Sequence, residues 1–405
     1  WQVACREEEI ERPGDYLTYD IADESIIVAR DEQGAIRAYH NVCMHRGRRL
    51  TEGCGHARTF VCRYHGWRWN LQGENTRVVD KEDWDGCLHD EDIKLRPVRV
   101  ASWGGFVFVN LDANAEPLEQ FLDPLPEVFR NFEFEKLRFR WYKTIVQPCN
   151  WKVVLEAFDE AYHVQQTHPQ FLEYLSDYSQ SAAYGKHGSF SYPALASGQS
   201  RFTPSPRLDK PATRDFREYV LAYFEEMHTQ LQAMVTPRSH AAAQRLRTEV
   251  SEGASQQEVL TKLRQFQQEA AEADGSGWPP VTAQDMQRAG ADWHVFPNLV
   301  FLPSNIDGII AYRARPNGDD PDSCIFDVWS LVRYAPGQAP PLEREVYAEW
   351  KDTDLGRILK QDFQNLAQVQ KGMKSSAFAG SRTNPKQERA ISNFHEVLHS
   401  YISKP

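Results

Sequence analysis

Cys43-Met44-His45-Arg46-Gly47 and Cys62-Arg63-Tyr64-His65-Gly66-Trp67 decide how this chain is read. Each stretch pairs one thiol with one imidazole, at Cys-x-His and Cys-x-x-His spacing, and sixteen residues separate His45 from Cys62. Two metals compete for such a set. A structural zinc takes all four side chains on one tetrahedral ion. A [2Fe–2S] cluster with mixed ligation takes Cys43 and Cys62 on one iron and His45 and His65 on the other, which raises its potential. Zinc sites more often draw two thiolates from a single tight Cys-x2–4-Cys turn. A Cys/His pair repeated in two loops, each followed by glycine, favours the cluster. A zinc-bound binding module without redox function stays as the rival from another class.

Outward from these loops, residues 1–112 read as a small all-β domain. Ser25–Arg30 and Ala35–Tyr39 flank the turn Asp31-Glu32-Gln33-Gly34, a hairpin pattern. Further strands are expected at Thr59–Cys62, Pro97–Ala101 and Gly105–Leu111. Arg46, Arg48, Arg49, Arg63 and Arg68 surround the ligand loops. They read either as solvated surface or as a positive collar that docks an acidic electron carrier.

Ala, Asn, Asp and Pro collect over 112–126, marking a boundary, and residues 113–405 form the second domain. Its pattern is a strand at Arg138–Val146, a helix at Trp151–His163, a long loop at 185–211 that could cover a site, and a helical insertion near 214–272. Strands come next at about 294–302, 308–315 and 324–334, and the last 60 residues return to helix. A sheet with helices gathered on it is an α+β layout.

A second set of polar residues stands in this domain. Helical spacing would place Glu156, Glu160 and His163 on one face. His163 and His168 are five apart, and Pro169 supports the break that would let both rings converge. Asp362 interrupts the apolar stripe Leu355, Ile358, Leu359, Phe363, Leu366, Val369 of a helix at Asp354–Met373, so its carboxylate must be paired, protonated or metal-bound. His163, His168 and Asp362 then make a two-histidine, one-carboxylate facial triad, the ligand set of non-haem Fe(II) oxygenases. Asp159, Asp352 and Asp354 compete for the third place.

Composition sets bounds. The chain has 405 residues, 41% hydrophobic and 25% charged, which suits an ordinary globular protein of two or three domains. A net charge of -11 without a long basic run argues against nucleic acid as partner. No apolar run approaches about eighteen residues and no signal-like start is present, so no membrane span is expected. Of seven cysteines, Cys5, Cys54, Cys87, Cys149 and Cys324 lie outside the cluster motif without a disulfide framework, pointing to a cytoplasmic location. The chain opens at Trp1 rather than Met, so a preceding piece is expected to lie outside it.

With both ligand sets in view, the chain resembles the catalytic α subunit of the Rieske non-haem iron oxygenases, the aromatic ring-hydroxylating dioxygenase family. The likeness rests on Cys43-x-His45-Arg46-Gly47, Cys62-x-x-His65-Gly66-Trp67, and Asn150-Trp151-Lys152 leading to Glu160-Ala-Tyr-His163-x4-His168. It implies a Rieske domain followed by a helix-grip catalytic domain, with Asp362 as third iron ligand. It implies O2 as co-substrate and electrons from NAD(P)H through a reductase, directly or by way of a ferredoxin. It also implies a homotrimer, with or without a β subunit, in which Glu160 links His65 of a neighbour to His163. Ring dioxygenases commonly carry Asp where Glu160 stands, and Glu there resembles family members acting on quaternary ammonium compounds. The favoured reading is hydroxylation of an aromatic or other hydrophobic molecule, with Phe158, Trp293, His294, Phe296 and Phe301 as candidate pocket residues. A quaternary ammonium monooxygenase or an O-demethylase is the alternative.

Overall fold

The structure is a computed structural model that describes residues 1–193, 200–209 and 214–403. The chain divides into two units, Trp1–Phe121 and Leu122–Pro405. The division falls at 121, nine residues beyond the expected boundary at 112. Segment 112–116 stays with the first unit because Trp1 Nε1 donates to the Glu116 carbonyl at 2.8 Å and Arg99 Nη1 to the Ala113 carbonyl at 3.1 Å.

The first unit is built from short antiparallel strands in three small sheets. One joins Gln2–Arg6, Phe106–Asn110 and Arg99–Trp103; the second joins Ile36–His40, Glu24–Arg30, Asp15–Ile21 and Cys54–His56; the third joins Thr59–Val61, Arg68–Asn70 and Asn75–Arg77. The predicted hairpin forms, with Ile26 opposite His40 and Arg30 opposite Ile36. Fully buried Asp31 closes its turn by accepting from the Gln33 and Ala35 amides at 3.0 and 2.8 Å, while Arg37 pairs its second oxygen at 2.9 Å.

The second unit centres on an eight-stranded sheet ordered Gln180–Tyr184, His187–Ser191, Trp293–Val295, Leu299–Leu302, Gly308–Asn317, Asp320–Arg333, Leu137–Gln147, Arg344–Tyr347. All neighbours are antiparallel except Leu137–Gln147 with Arg344–Tyr347. The run expected as one strand at 294–302 is two strands, since the Phe296–Pro297 bond lies between them and Trp293 pairs back onto Phe301. Part of the segment expected as a long loop is strand His187–Ser191; residues 194–199 and 210–211 of it lie outside the described residues. The insertion is helical over Phe216–Glu226, Pro237–Gln244 and Gln256–Ala273, with a wide π turn at Met227–Leu231. These helices pack with Val153, Leu359 and Phe363 into one core over the sheet. Among the described residues, no helix is long and apolar enough to cross a membrane.

The helix Gly356–Met373 that carries Asp362 begins where the π turn passes closest. Gly356 has φ +69°, and a Cβ there would run into the Gln230 carbonyl. Only glycine tolerates both conditions. Gly356→Ala should therefore destabilise the domain by about 1–3 kcal/mol and push Asp362 off its position. Urea denaturation and iron content check the two effects separately.

Candidate functional site: two convergent ligand sets

Cys43–Arg48 and Cys62–Trp67 adopt the same backbone. In each, the cysteine amide donates to the carbonyl five residues on (Arg48, Trp67) at 2.8 Å, and the glycine amide donates back to the cysteine carbonyl at 2.9 Å. Gly47 and Gly66 share φ +74°. The tight turns bring Cys43 and Cys62 together as buried free thiols and place His45 Nδ1 3.1 Å from His65 Nδ1. Burial pushes the Cys43 thiol up, while the amides of His45 and Arg46, aimed at its sulfur, pull the other way. Burial, with His65 next, holds the His45 imidazolium below its usual range. Two thiols and two facing imidazole nitrogens make a donor set that fits a mixed-ligand [2Fe–2S] cluster. Trp67 stacks on His45 at 4.9 Å, Trp84 meets its edge at 5.7 Å, and exposed Tyr64 lies 3.9 Å from His65. Around them, Arg46, Arg48, Arg49 and Arg63 are exposed and Arg68 is half-buried.

In the second unit the helix expected at 151–163 ends at Glu156. Glu156, Glu160 and His163 therefore do not share a helical face. A turn over 157–163 leads to the short helix Val164–Thr167, and within it Asp159 is fully buried 3.2 Å from His294 Nδ1. The turn folds the Glu160 carboxylate over the next three residues. Its Oε2 accepts from the Tyr162 and His163 amides, and its Oε1 lies 2.6 Å from His163 Nδ1.

Across from this turn stands Asp362, 6% exposed. Its Oδ1 is 2.8 Å from His168 Nε2 and 3.5 Å from His163 Nε2. One ligand atom from each of the three residues lies within 4.8 Å of the others. The far nitrogens are both tethered: His163 Nδ1 donates to Glu160, and His168 Nδ1 donates to Gln361 Oε1 at 3.0 Å, itself bonded to Gln170. With Nδ1 turned to these acceptors, each ring presents Nε2 to the Asp362 oxygen. Two imidazole nitrogens and a carboxylate oxygen converging in this way suit a metal cation, and second carboxylate or amide contacts of this kind orient metal-bound histidines. Burial lowers the His163 pKa, but Glu160 and Asp362 outweigh it and push it up to about 9, so the site favours positive charge. Of the competing carboxylates, Asp352 and Asp354 are exposed and Asp159 faces His294.

A cavity of about 130 Å³ opens onto the triad. Its aromatic walls are Phe158, Phe171, Phe190, Tyr192, Tyr223 and Tyr312, closed by Met227, Leu231 and Met234 from the insertion. Of the pocket residues expected from sequence only Phe158 is among them, stacked on Tyr312 at 4.3 Å. Trp293 and Phe301 pack against Phe129, Phe296 packs against Phe394, and His294 is buried against Asp159. Sequence reading also missed Gln361 and Arg201. Gln361 adjoins Asp362, and that adjacency was its only signal.

Residues 1–84 match the Rieske [2Fe-2S] domain model, and residues 134–404 match the model described as ring hydroxylating alpha subunit (catalytic domain). The chain is 39% identical over 173 residues to the glycine betaine monooxygenase oxygenase subunit of Chromohalobacter salexigens, covering 42% of this chain and 38% of that protein. It is 33% identical over 177 residues to the chloroplastic choline monooxygenase of Beta vulgaris, covering 42% and 40%. The match thus spans well under two thirds of either relative. Among solved structures, a quaternary ammonium Rieske monooxygenase in complex with L-carnitine aligns at TM-score 0.63 and 18% identity, over 99% of this chain and 88% of that one. Naphthalene 1,2-dioxygenase from Rhodococcus sp. bound to indole aligns equally well, at TM-score 0.63 and 20% identity over 100% and 90%. Both establish a shared fold. The chain belongs to the ring-hydroxylating α-subunit family, whose cofactors are a Rieske [2Fe–2S] cluster and a mononuclear non-haem iron.

Proposed function

We propose that this chain is the oxygenase component of a Rieske monooxygenase that oxidises a small quaternary ammonium compound. The observation that carries the reading is the small aromatic cavity beside His163, His168 and Asp362. At about 130 Å³ it is well below the ~300–1,000 Å³ usual for larger ligands, which disfavours bulky members of the aromatic or other hydrophobic class favoured from sequence. Aromatic faces attract a desolvated ammonium through cation–π contact. The relatives named for glycine betaine and choline support the same choice, as does Glu rather than Asp at position 160.

Cys43, Cys62, His45 and His65 would hold the cluster, and His163, His168 and Asp362 the mononuclear iron. When bound, that iron supplies O2 activation by single-electron steps. The chain's own residues do the rest. Glu160 and Gln361 fix the His163 and His168 rings by holding their Nδ1 protons. Met227, Leu231, Ile358 and Leu359 line the cavity with apolar side chains and exclude water from the reacting methyl group. Electrons come from NAD(P)H through a reductase, directly or by a ferredoxin, and the exposed arginines around the cluster suit an acidic carrier. Assembly as a trimer would let Glu160 connect His163 to His65 of a second copy.

The test is O2 uptake coupled to NADH with a suitable reductase. Glycine betaine, choline and carnitine are compared with naphthalene and an aryl methyl ether. Turnover of the aromatic compounds alone would refute the reading. Glu160→Gln should keep both metal sites and slow single-turnover oxidation of the reduced cluster by about 10–100-fold. An unaltered rate would remove Glu160 from the electron path.

A further inference from the structure

Arg201 is, among the described residues that line the cavity, the one side chain of fixed positive charge. Its guanidinium lies 3.9 Å from the Tyr192 ring and 5.7 Å from the Tyr223 ring. Its backbone is tied down: the Arg201 carbonyl accepts from the Ser176 and Thr203 amides at 2.7 and 2.9 Å, and the Ser200 amide donates to Gln256 at 2.8 Å. Several other arginines in this unit meet a carboxylate, as Arg313 meets Asp327 at 2.6 Å and Arg207 meets Asp177 at 2.7 Å. No carboxylate among the described residues pairs with Arg201. The same residue, with Tyr192 and Tyr223, also borders a second cavity of about 280 Å³, which the triad residues do not line.

Half-buried Arg201 bonds to Tyr192 and Tyr223 but has no carboxylate partner among the described residues, which leaves its charge for an anion that arrives with the ligand. Its planar fork matches a carboxylate with two parallel bonds. Because Arg201 already covers the faces of Tyr192 and Tyr223, the ammonium is left with the aromatic faces of Phe158, Phe171, Phe190 and Tyr312. The cavity therefore carries one fixed positive group and, apart from it, an aromatic wall beside the triad. We propose that Arg201 anchors a substrate carboxylate, so that the preferred substrate is a zwitterionic quaternary ammonium carboxylate of the betaine class rather than an ammonium alcohol such as choline. This rests on the quaternary ammonium reading above and narrows it.

The experiment is calorimetric titration of the holoenzyme, and of its Arg201→Gln and Arg201→Lys variants, with glycine betaine and with choline. KM values from O2 uptake are measured alongside. The wild type should prefer glycine betaine. In Arg201→Gln its Kd should rise by about 10–100-fold and the betaine-to-choline preference should fall by the same factor, with Arg201→Lys recovering part of it. Equal losses for both ligands, or a glycine betaine Kd within about threefold of wild type, would overturn the proposal. A wild type that binds neither ammonium compound but binds benzoate in an Arg201-dependent way would uphold the carboxylate anchor and refute the ammonium reading instead.

Discussion

Asp362→Ala is expected to yield a protein that keeps about two irons and two labile sulfides per chain, loses a third iron, and turns over no substrate. The basis is geometric. Asp362 supplies the oxygen that both Nε2 atoms face, at 2.8 and 3.5 Å, and it is buried where water cannot replace it well. With two imidazoles left, a divalent ion loses its only charged ligand, and affinity should fall by several orders of magnitude. The red-brown cluster spectrum should persist, because Cys43, His45, Cys62 and His65, the proposed cluster ligands, belong to the other unit. Metal analysis together with visible absorption decides the matter. Loss of the cluster spectrum as well would show that the substitution unfolds the chain, and an unchanged third iron would move the metal away from Asp362.

The largest expected effect on stability lies elsewhere in the same domain. Asp327 is fully buried on strand Asp320–Arg333 and holds Arg313 by two contacts of 2.6 and 2.9 Å, with Thr144 at 2.5 Å and Arg344 at 3.7 Å. Burial raises its pKa, but Arg313, Arg315 and Arg344 outweigh that and bring it down to about 2. Asp327→Ala would leave Arg313 buried without its partner, which costs about 3–5 kcal/mol. The pH dependence comes from the depressed value. The unfolded carboxyl titrates near ~3.9, so the stabilisation is fully present above about pH 5 and is lost as pH falls toward 2. Urea denaturation of both proteins at pH 7 and pH 3 should show the gap between them narrowing in acid. A constant gap would mean that Asp327 acts through packing rather than charge.

The legible parts of this molecule were those whose chemistry is local. The cluster loops are read from two short strings because each turn supplies its own thiol and imidazole. Asp362 stands out because a carboxylate in an apolar helical stripe has few uses. The bend after Glu156 was not legible: periodicity counts positions, and nothing in Ala157-Phe158-Asp159 announces that Asp159 will be buried against His294, 135 residues later in the chain. The cavity was hidden for a related reason. Its walls come from stretches scattered between Ala157 and Asp362, and the aromatic residues that looked suited to it on strand Leu299–Leu302 and its neighbour fill the space against Phe129 instead. Arg201 carried no signal at all in sequence, since a single arginine after a Ser/Gly-rich stretch looks like surface.

The matched pair of loops bears on how electrons move. Each loop is clamped by the same two main-chain hydrogen bonds, so the ligand positions are set by the backbone rather than by the charge of what they hold. The amides of His45 and Arg46 face the Cys43 sulfur and favour its negative charge. Dipoles fixed in advance need no rearrangement when charge arrives. A cluster held by these loops, as proposed, would meet a backbone that needs little rearrangement on electron transfer, which corresponds to a small reorganisation energy.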